Sequence, residues 1–385
     1  MSVNFCFPND IFRLERHESF AIERFAYNAA RIGVQALQCG GLPDCLRIVF
    51  DNAPNFSAYI GPTKDNSGNT IGFALHSTPI SCIIILGICH FFGDVFGDVF
   101  GDAIFDVDTL GGDHSAFIDS VEAFRSIFSD ADQDYEARGL KQFIRNKIAV
   151  LGGTDVLAGN CANYFDVLTQ FIVNHEIAHA YTNQFSAGID LSVDVDRRAL
   201  EIVADTVATE WIYNRLIRNT PDSDAYRALR GTKTHRDSII QNTHSVVHSQ
   251  IMTLFLFGIV PSLRAGGKFQ LDGGRRHPHG FLRYSLQQIV LTTLVLSNQQ
   301  QSVNESDFGS IDTYWKNCLG LFIKSGLVEA DDIGGVVTRL PDSVEILRAA
   351  EFIEGYAPKS LFGIASLLRI CANPSTSNDI VSSHD

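Results

Sequence analysis

His175-Glu176-Ile177-Ala178-His179 stands inside a stretch, Asn163 to Phe185, whose apolar residues recur at helical spacing. No other feature restricts the chain as much. On a helix, positions four apart differ by about 40° around the axis, so both imidazoles leave the same face. Two nitrogens on one face reach a single zinc ion at about 2.0–2.1 Å. Glu176 adjoins the first histidine, where its carboxylate can take a proton from water held by the metal. Leu168, Phe171, Ile172 and Ala178 give the helix a side to bury, with the histidines toward a cleft. A catalytic zinc also needs a third protein ligand and an open position, so the fold must bring another donor to this helix.

The donor is expected from Glu201-Ile202-Val203-Ala204-Asp205, on a second predicted helix from Asp194 to Arg218. A turn around Ser186–Asp190 lets that helix fold back on the first. Glu201 and Asp205 interrupt an apolar run (Ala199, Leu200, Ile202, Val203, Ala204, Val207, Ala208), and buried carboxylates want a metal or a paired partner. Glu201 is the expected ligand. Asp205, one turn on, is placed to accept a hydrogen bond from a ligand imidazole and fix its tautomer. Further along, His277-Pro278-His279-Gly280-Phe281-Leu282-Arg283 follows a glycine-rich connection. His277 there could donate to the oxyanion of a tetrahedral intermediate, and Arg283 could lock the segment through a buried ion pair. His279, Tyr284 and Tyr181 are alternative donors. A second pair four apart, His244 and His248, has no acid between its members and no obvious third ligand, and reads as one face of a helix.

Composition removes other classes of function. Lys+Arg 30 against Asp+Glu 44 leaves a formal charge of −14, which is unsuited to binding nucleic acid through its phosphates. Hydrophobic residues at 45% and charged residues at 19% describe a core-rich globular chain. The most apolar runs, Ile80–Phe92, Ile251–Val260 and Ile289–Leu296, fall short of the roughly 18–20 residues that span a bilayer. No membrane span and no secretory leader are expected. Eight cysteines without a CxxC pair read as reduced, buried thiols, which points to a cytoplasmic location.

Elsewhere the expected elements are simple. A helix covers Ile11–Gln38. Short β-runs at Leu46–Phe50, Ser57–Ile60 and Thr70–Leu75 suggest a small antiparallel meander. The repeat from Phe92 to Asp102 puts Phe92, Phe96 and Phe100 on one helical stripe with Asp94, Asp98 and Asp102 opposite, and its spacing matches no calcium loop. Asp119–Phe128 reads as helix and Lys147–Leu151 as a strand. His235–Leu256 and Phe281–Ser297 are helical.

The ordered set HEIAH, EIVAD and HPxxxxR resembles the gluzincin zinc metallopeptidases. More narrowly it is similar to the prenyl-protein and heat-shock membrane peptidases, with their ExxAD and HPxxxxR segments. Phe50-Asp-Asn-Ala-Pro-Asn55-Phe-Ser-Ala58 is similar to the strand segment preceding HExxH in that group. In lacking membrane spans the chain is closer to the Lit-type phage-exclusion peptidases. The resemblance implies zinc ligands His175, His179 and Glu201, a general base in Glu176, Asp205 behind the ligands, and His277 as the oxyanion donor. The expected fold is α+β: a mainly helical, zincin-like metallopeptidase with a small antiparallel sheet. Residues 1–150 form an N-terminal region, 151–300 the zinc core, 301–372 a helical C-terminal region and 373–385 a flexible tail. The expected activity is zinc-dependent hydrolysis of a protein or peptide. The alternatives are a metal-bearing regulatory or interaction module with little turnover, and a non-peptide zinc hydrolase.

Overall fold

The computed structural model describes residues 2–6, 15–38, 45–53, 56–94, 115–129, 133–150, 161–185, 192–264, 280–297, 320, 322–323, 326–327 and 343–372. Strand β1 (Ser2–Cys6) leads to helix α1 (Arg16–Gln38), and then to β2 (Cys45–Phe50), β3 (Ala58–Lys64) and β4 (Thr70–Ser77). Helices α2 (Pro79–Asp94), α3 (Ser115–Ser129), α4 (Gln133–Val150), α5 (Cys161–Tyr181) and α6 (Asp194–Tyr213) follow. Helix α6 continues into a π-turn at Asn214–Arg218. Next come α7 (Asp224–Arg230), α8 (His235–Leu254, extended by a π-turn at Phe255–Ile259), α9 (Val260–Arg264) and α10 (Gly280–Ser297). Helices α11 (Ser343–Tyr356) and α12 (Phe362–Ala372) close the described chain.

The architecture is α+β and mostly helical, but the sheet is mixed rather than antiparallel. Its strand order is β1-β2-β4-β3, with β1 and β4 parallel to β2 and only β3 antiparallel to β4. Three short runs with tight turns suggested a meander, and two physical facts defeat it. Strand β1, absent from the expectation, joins β2 in parallel, and α1 supplies the long crossover that a parallel pair needs. Strand β3 carries Pro62, which cannot donate to a ladder, and so takes the edge while β4 returns to the centre. There β4 buries Phe73 and Leu75 next to Leu46, Ile48 and Phe50 of β2. Asp51 N–H bonds the Ser77 carbonyl at 2.8 Å, tying the end of β2 to the end of β4.

Helix α1 buries Ala21, Ile22, Phe25, Ala29 and Ile32 at helical spacing, with Phe25 edge-on to Phe50 of β2 at 6.0 Å. A side chain at Gly33 would collide with Leu46, so glycine there lets α1 sit close on β2. Thr78 caps α2 by accepting from Ser81 N–H at 3.1 Å, with Pro79 in the first helical position. Helix α2 is buried from Ser81 to Phe92. Its Phe91 and Phe92 stack with Phe124 of α3 and Phe255 of α8 at centroid distances of 4.7–5.3 Å. Phe92 thus belongs to the core, while Phe96 and Phe100 of the repeat lie outside the described residues. Lys147–Val150 of the expected strand is helical instead: α4 runs to Val150, burying Leu140, Phe143 and Ile144, with Lys147 over the Phe143 ring, and Leu151 lies outside the described residues. A five-residue apolar run does not distinguish a strand from the last turns of a helix.

Two apolar clusters organise the helices. The larger joins the sheet, α1 to α5 and α8. The second joins α6, α10, α11 and α12, with Ala178 and Tyr181 from α5. Helices α5 and α6 pack against each other where the clusters meet, and the candidate site lies there. Of the six described cysteines, Cys82, Cys89, Cys161 and Cys371 are buried, and Cys6 and Cys45 are half-buried thiols.

Candidate metal centre

Helix α5 is apolar almost all round, as its place between two layers demands, and His175 is among its buried residues. The i, i+4 spacing brings His175 Nε2 and His179 Nε2 to 3.2 Å from each other. Helix α6 carries Glu201 across the gap: its Oε2 lies 3.4 Å from His175 Nε2 and its Oε1 3.8 Å from His179 Nε2. One donor atom from each of the three residues lies within 4.8 Å of the others.

These separations test the donor set. A tetrahedral zinc with bonds of about 2.0–2.1 Å holds adjacent ligand atoms about 3.3 Å apart. The separations of 3.2 and 3.4 Å match, and 3.8 Å closes with a small carboxylate rotation. With carboxylate and amide oxygens at Nδ1 of His175 and His179, two neutral rings turn their Nε2 lone pairs toward one point, a good arrangement for a shared cation. The residues present therefore fit a His-His-Glu metal site.

The atoms behind the ligands are arranged in the same sense. His175 Nδ1 lies 2.9 Å from Asp205 Oδ1. Arg283 of α10 holds both oxygens of Asp205, Nε and Nη2 each at 2.7 Å, and its Nη2 is 3.8 Å from Glu201 Oε2. Asp205 is 1% and Arg283 6% exposed, so this is a buried, bidentate ion pair. Burial alone would raise the Asp205 carboxyl, but Arg283 outweighs it and holds the group near 2. The Arg283 guanidinium is raised by the same partners against its own burial. His179 Nδ1 meets Gln184 Oε1 at 2.5 Å. Gln184 reaches back because Asn183 takes a left-handed conformation, φ 59°, in the turn that ends α5.

Without metal the two histidines diverge. Burial works to lower His175, yet Asp205 and Glu201 overcome it and raise the imidazole to about 10. His179 is lowered to about 4, chiefly by burial and by the charge of His175. Glu176 is raised to about 7 by burial, although His175 and Arg283 favour its charged form. The Ile60 backbone of edge strand β3 lies near enough to favour the charged form of Glu176, which places the sheet edge beside that carboxyl.

The structure brings His175, Glu176, His179, Glu201, Asp205 and Arg283 together. His277 and its competitor His279 lie outside the described residues, as does Asn55 of the strand segment, whereas Ala58 opens β3. Tyr181 packs edge-on to Trp211 at 5.2 Å. Gln184 and Ile60 were missed. Gln184 leaves a weak trace, a polar residue just past the helix end, but a backbone N–H leaves none. Compared with known proteins, the chain matches no family model, no curated protein and no solved structure. Among the described residues no helix is long and apolar enough to cross a membrane.

Proposed function

We propose that the protein is a zinc-dependent endopeptidase whose centre is His175, His179 and Glu201. The observation that supports this reading best is the convergence of three donors from two helices with a carboxylic acid, Glu176, raised to about 7 beside them. A structural zinc has no use for an adjacent acid titrating near neutrality, whereas proton transfer does. Bound there, zinc supplies a Lewis acid that polarises a carbonyl and acidifies water. Glu176 takes the proton of the attacking water and delivers it to the leaving amine. Asp205 and Arg283 hold the His175 ring with Nε2 toward the cleft, and Gln184 does the same for His179. Among the described residues strand β3 pairs on one side only, so an extended peptide can add to it next to Glu176.

The reading requires about one zinc per purified chain. In cells expressing wild type, new protein N-termini should appear that are missing with Glu176→Gln, which keeps the zinc. Zinc-free protein, or the same N-termini from both forms, refutes it. Zinc retained with no Glu176-dependent cleavage favours the regulatory module or a non-peptide hydrolase.

A further inference from the structure

Away from the metal centre, three arginines gather around one acid. Arg24 donates from Nε to Asp166 Oδ1 at 2.7 Å and from Nη2 to Oδ2 at 2.5 Å, and Asn28 Nδ2 reaches Oδ1 at 2.9 Å. That carboxylate is therefore spent on Arg24 and Asn28. Arg215, in the π-turn after α6, lies within electrostatic reach of Arg31, Asp166 and Tyr27, and burial together with the Arg31 charge lowers it to about 10. It remains charged at neutral pH. Arg215 Nη1 and Arg31 Nε are buried donors that meet no acceptor among the described residues. Among the described residues Arg31 otherwise makes only a 3.4 Å bond to Asn28 and lies over the Tyr27 ring at 6.0 Å.

Buried donors left unmade cost free energy, and two neighbouring guanidinium groups repel each other. Three positive charges against one negative leave a local excess of +2 in a chain whose net charge is −14. We infer that Arg31 and Arg215 form a site for a phosphate dianion, held between α1 and the π-turn after α6. One carboxylate would neutralise half of that excess, whereas a phosphate dianion neutralises all of it and offers acceptors to both forks. Tyr27 is 60% exposed at the rim, so the phosphoryl group can be free or can end a larger molecule. Asp166 precedes His175 by nine residues on α5, about 14 Å along the axis, so the site is separate from the metal centre.

The test uses the full chain in phosphate-free buffer at constant ionic strength. Inorganic phosphate, methyl phosphate, acetate and chloride are titrated against thermal unfolding and in calorimetry. Inorganic or methyl phosphate should raise the melting temperature at concentrations where acetate and chloride do not, and whichever is the stronger identifies the free or esterified source. Arg31→Gln and Arg215→Gln should each weaken phosphate binding by roughly ten- to a hundredfold. Arg215→Gln should melt no lower than wild type without phosphate, because it removes a buried charge lacking an acceptor. If Arg215→Gln fails to fold, the half-buried Arg31 variant carries the test by calorimetry. Glu176→Gln should bind phosphate as wild type does, so this result stands apart from the peptidase reading. No phosphate-specific effect, an equal effect of acetate, or unchanged binding in the arginine variants overturns the inference.

Discussion

Two histidine pairs share one spacing and have opposite surroundings. His175 and His179 on α5 face Glu201 and Asp205 across a helix interface, and their Nε2 atoms converge at 3.2 Å. His244 and His248 on α8 belong to no such group of donors among the described residues, and His248 is edge-on to Tyr164 at 5.3 Å. Burial lowers both, and takes His248 to about 3. Among the described residues only the first pair joins a third donor close enough to hold a metal ion. The i, i+4 interval is thus a permission, and the neighbouring helix decides whether it is used.

The largest effect that sharpens this contrast is on catalysis. Glu176→Gln should lower hydrolysis by about 10²–10⁴-fold while zinc content, read by atomic emission, stays near one per chain. Next comes the metal itself: His175→Ala or His179→Ala should cut zinc content severely, while His244→Ala and His248→Ala leave it unchanged. Zinc lost from the α8 variants would break the comparison.

Stability follows. Arg283→Met takes from the buried Asp205 carboxylate its bidentate partner, leaving it only His175, and should cost about 3–5 kcal/mol in urea unfolding of the zinc-free protein. Arg283→Met with Asp205→Leu should recover much of that loss, because no charge is then left unpaired. A double variant as unstable as the single one would show that packing, not charge, dominates at this position.

The smallest effect is in the pH dependence of the zinc-free protein. His248 has a folded value of about 3, below its usual 6.5, so the unfolded chain takes up the proton first. Its contribution is full above pH 6.5 and declines as the pH falls toward 3. His175, raised to about 10, behaves oppositely: its contribution is full below pH 6.5 and is lost as the pH rises toward 10. His248→Gln should flatten the acid limb of a stability-against-pH curve and His175→Gln the alkaline limb. Interchanged limbs would overturn the assignment.

Much of the centre is legible in the residues, because helical geometry is local. The interval from His175 to His179 and that from Glu201 to Asp205 each place two side chains on one face wherever the helix sits. The apolar run around Glu201 also marks that acid as shielded, and its side chain is 12% exposed. The sheet was legible only as strand positions. Its β1-β2-β4-β3 order depends on a crossover through α1 and on Pro62 keeping β3 at the edge, and neither follows from alternation of apolar residues.

By itself, then, the sequence determined the ligand-bearing faces of α5 and α6, the acidic balance and the apolar helices, since these follow from spacing and composition. Only the tertiary structure decided that Arg283 closes on Asp205 across 78 residues, and that the Ile60 backbone meets Glu176. It alone also decided that Arg31 and Arg215 come within electrostatic reach of each other near an acid already taken by Arg24. The reason is physical: a covalent interval sets direction along one element, whereas burial and charge pairing are set by which elements the core packs together.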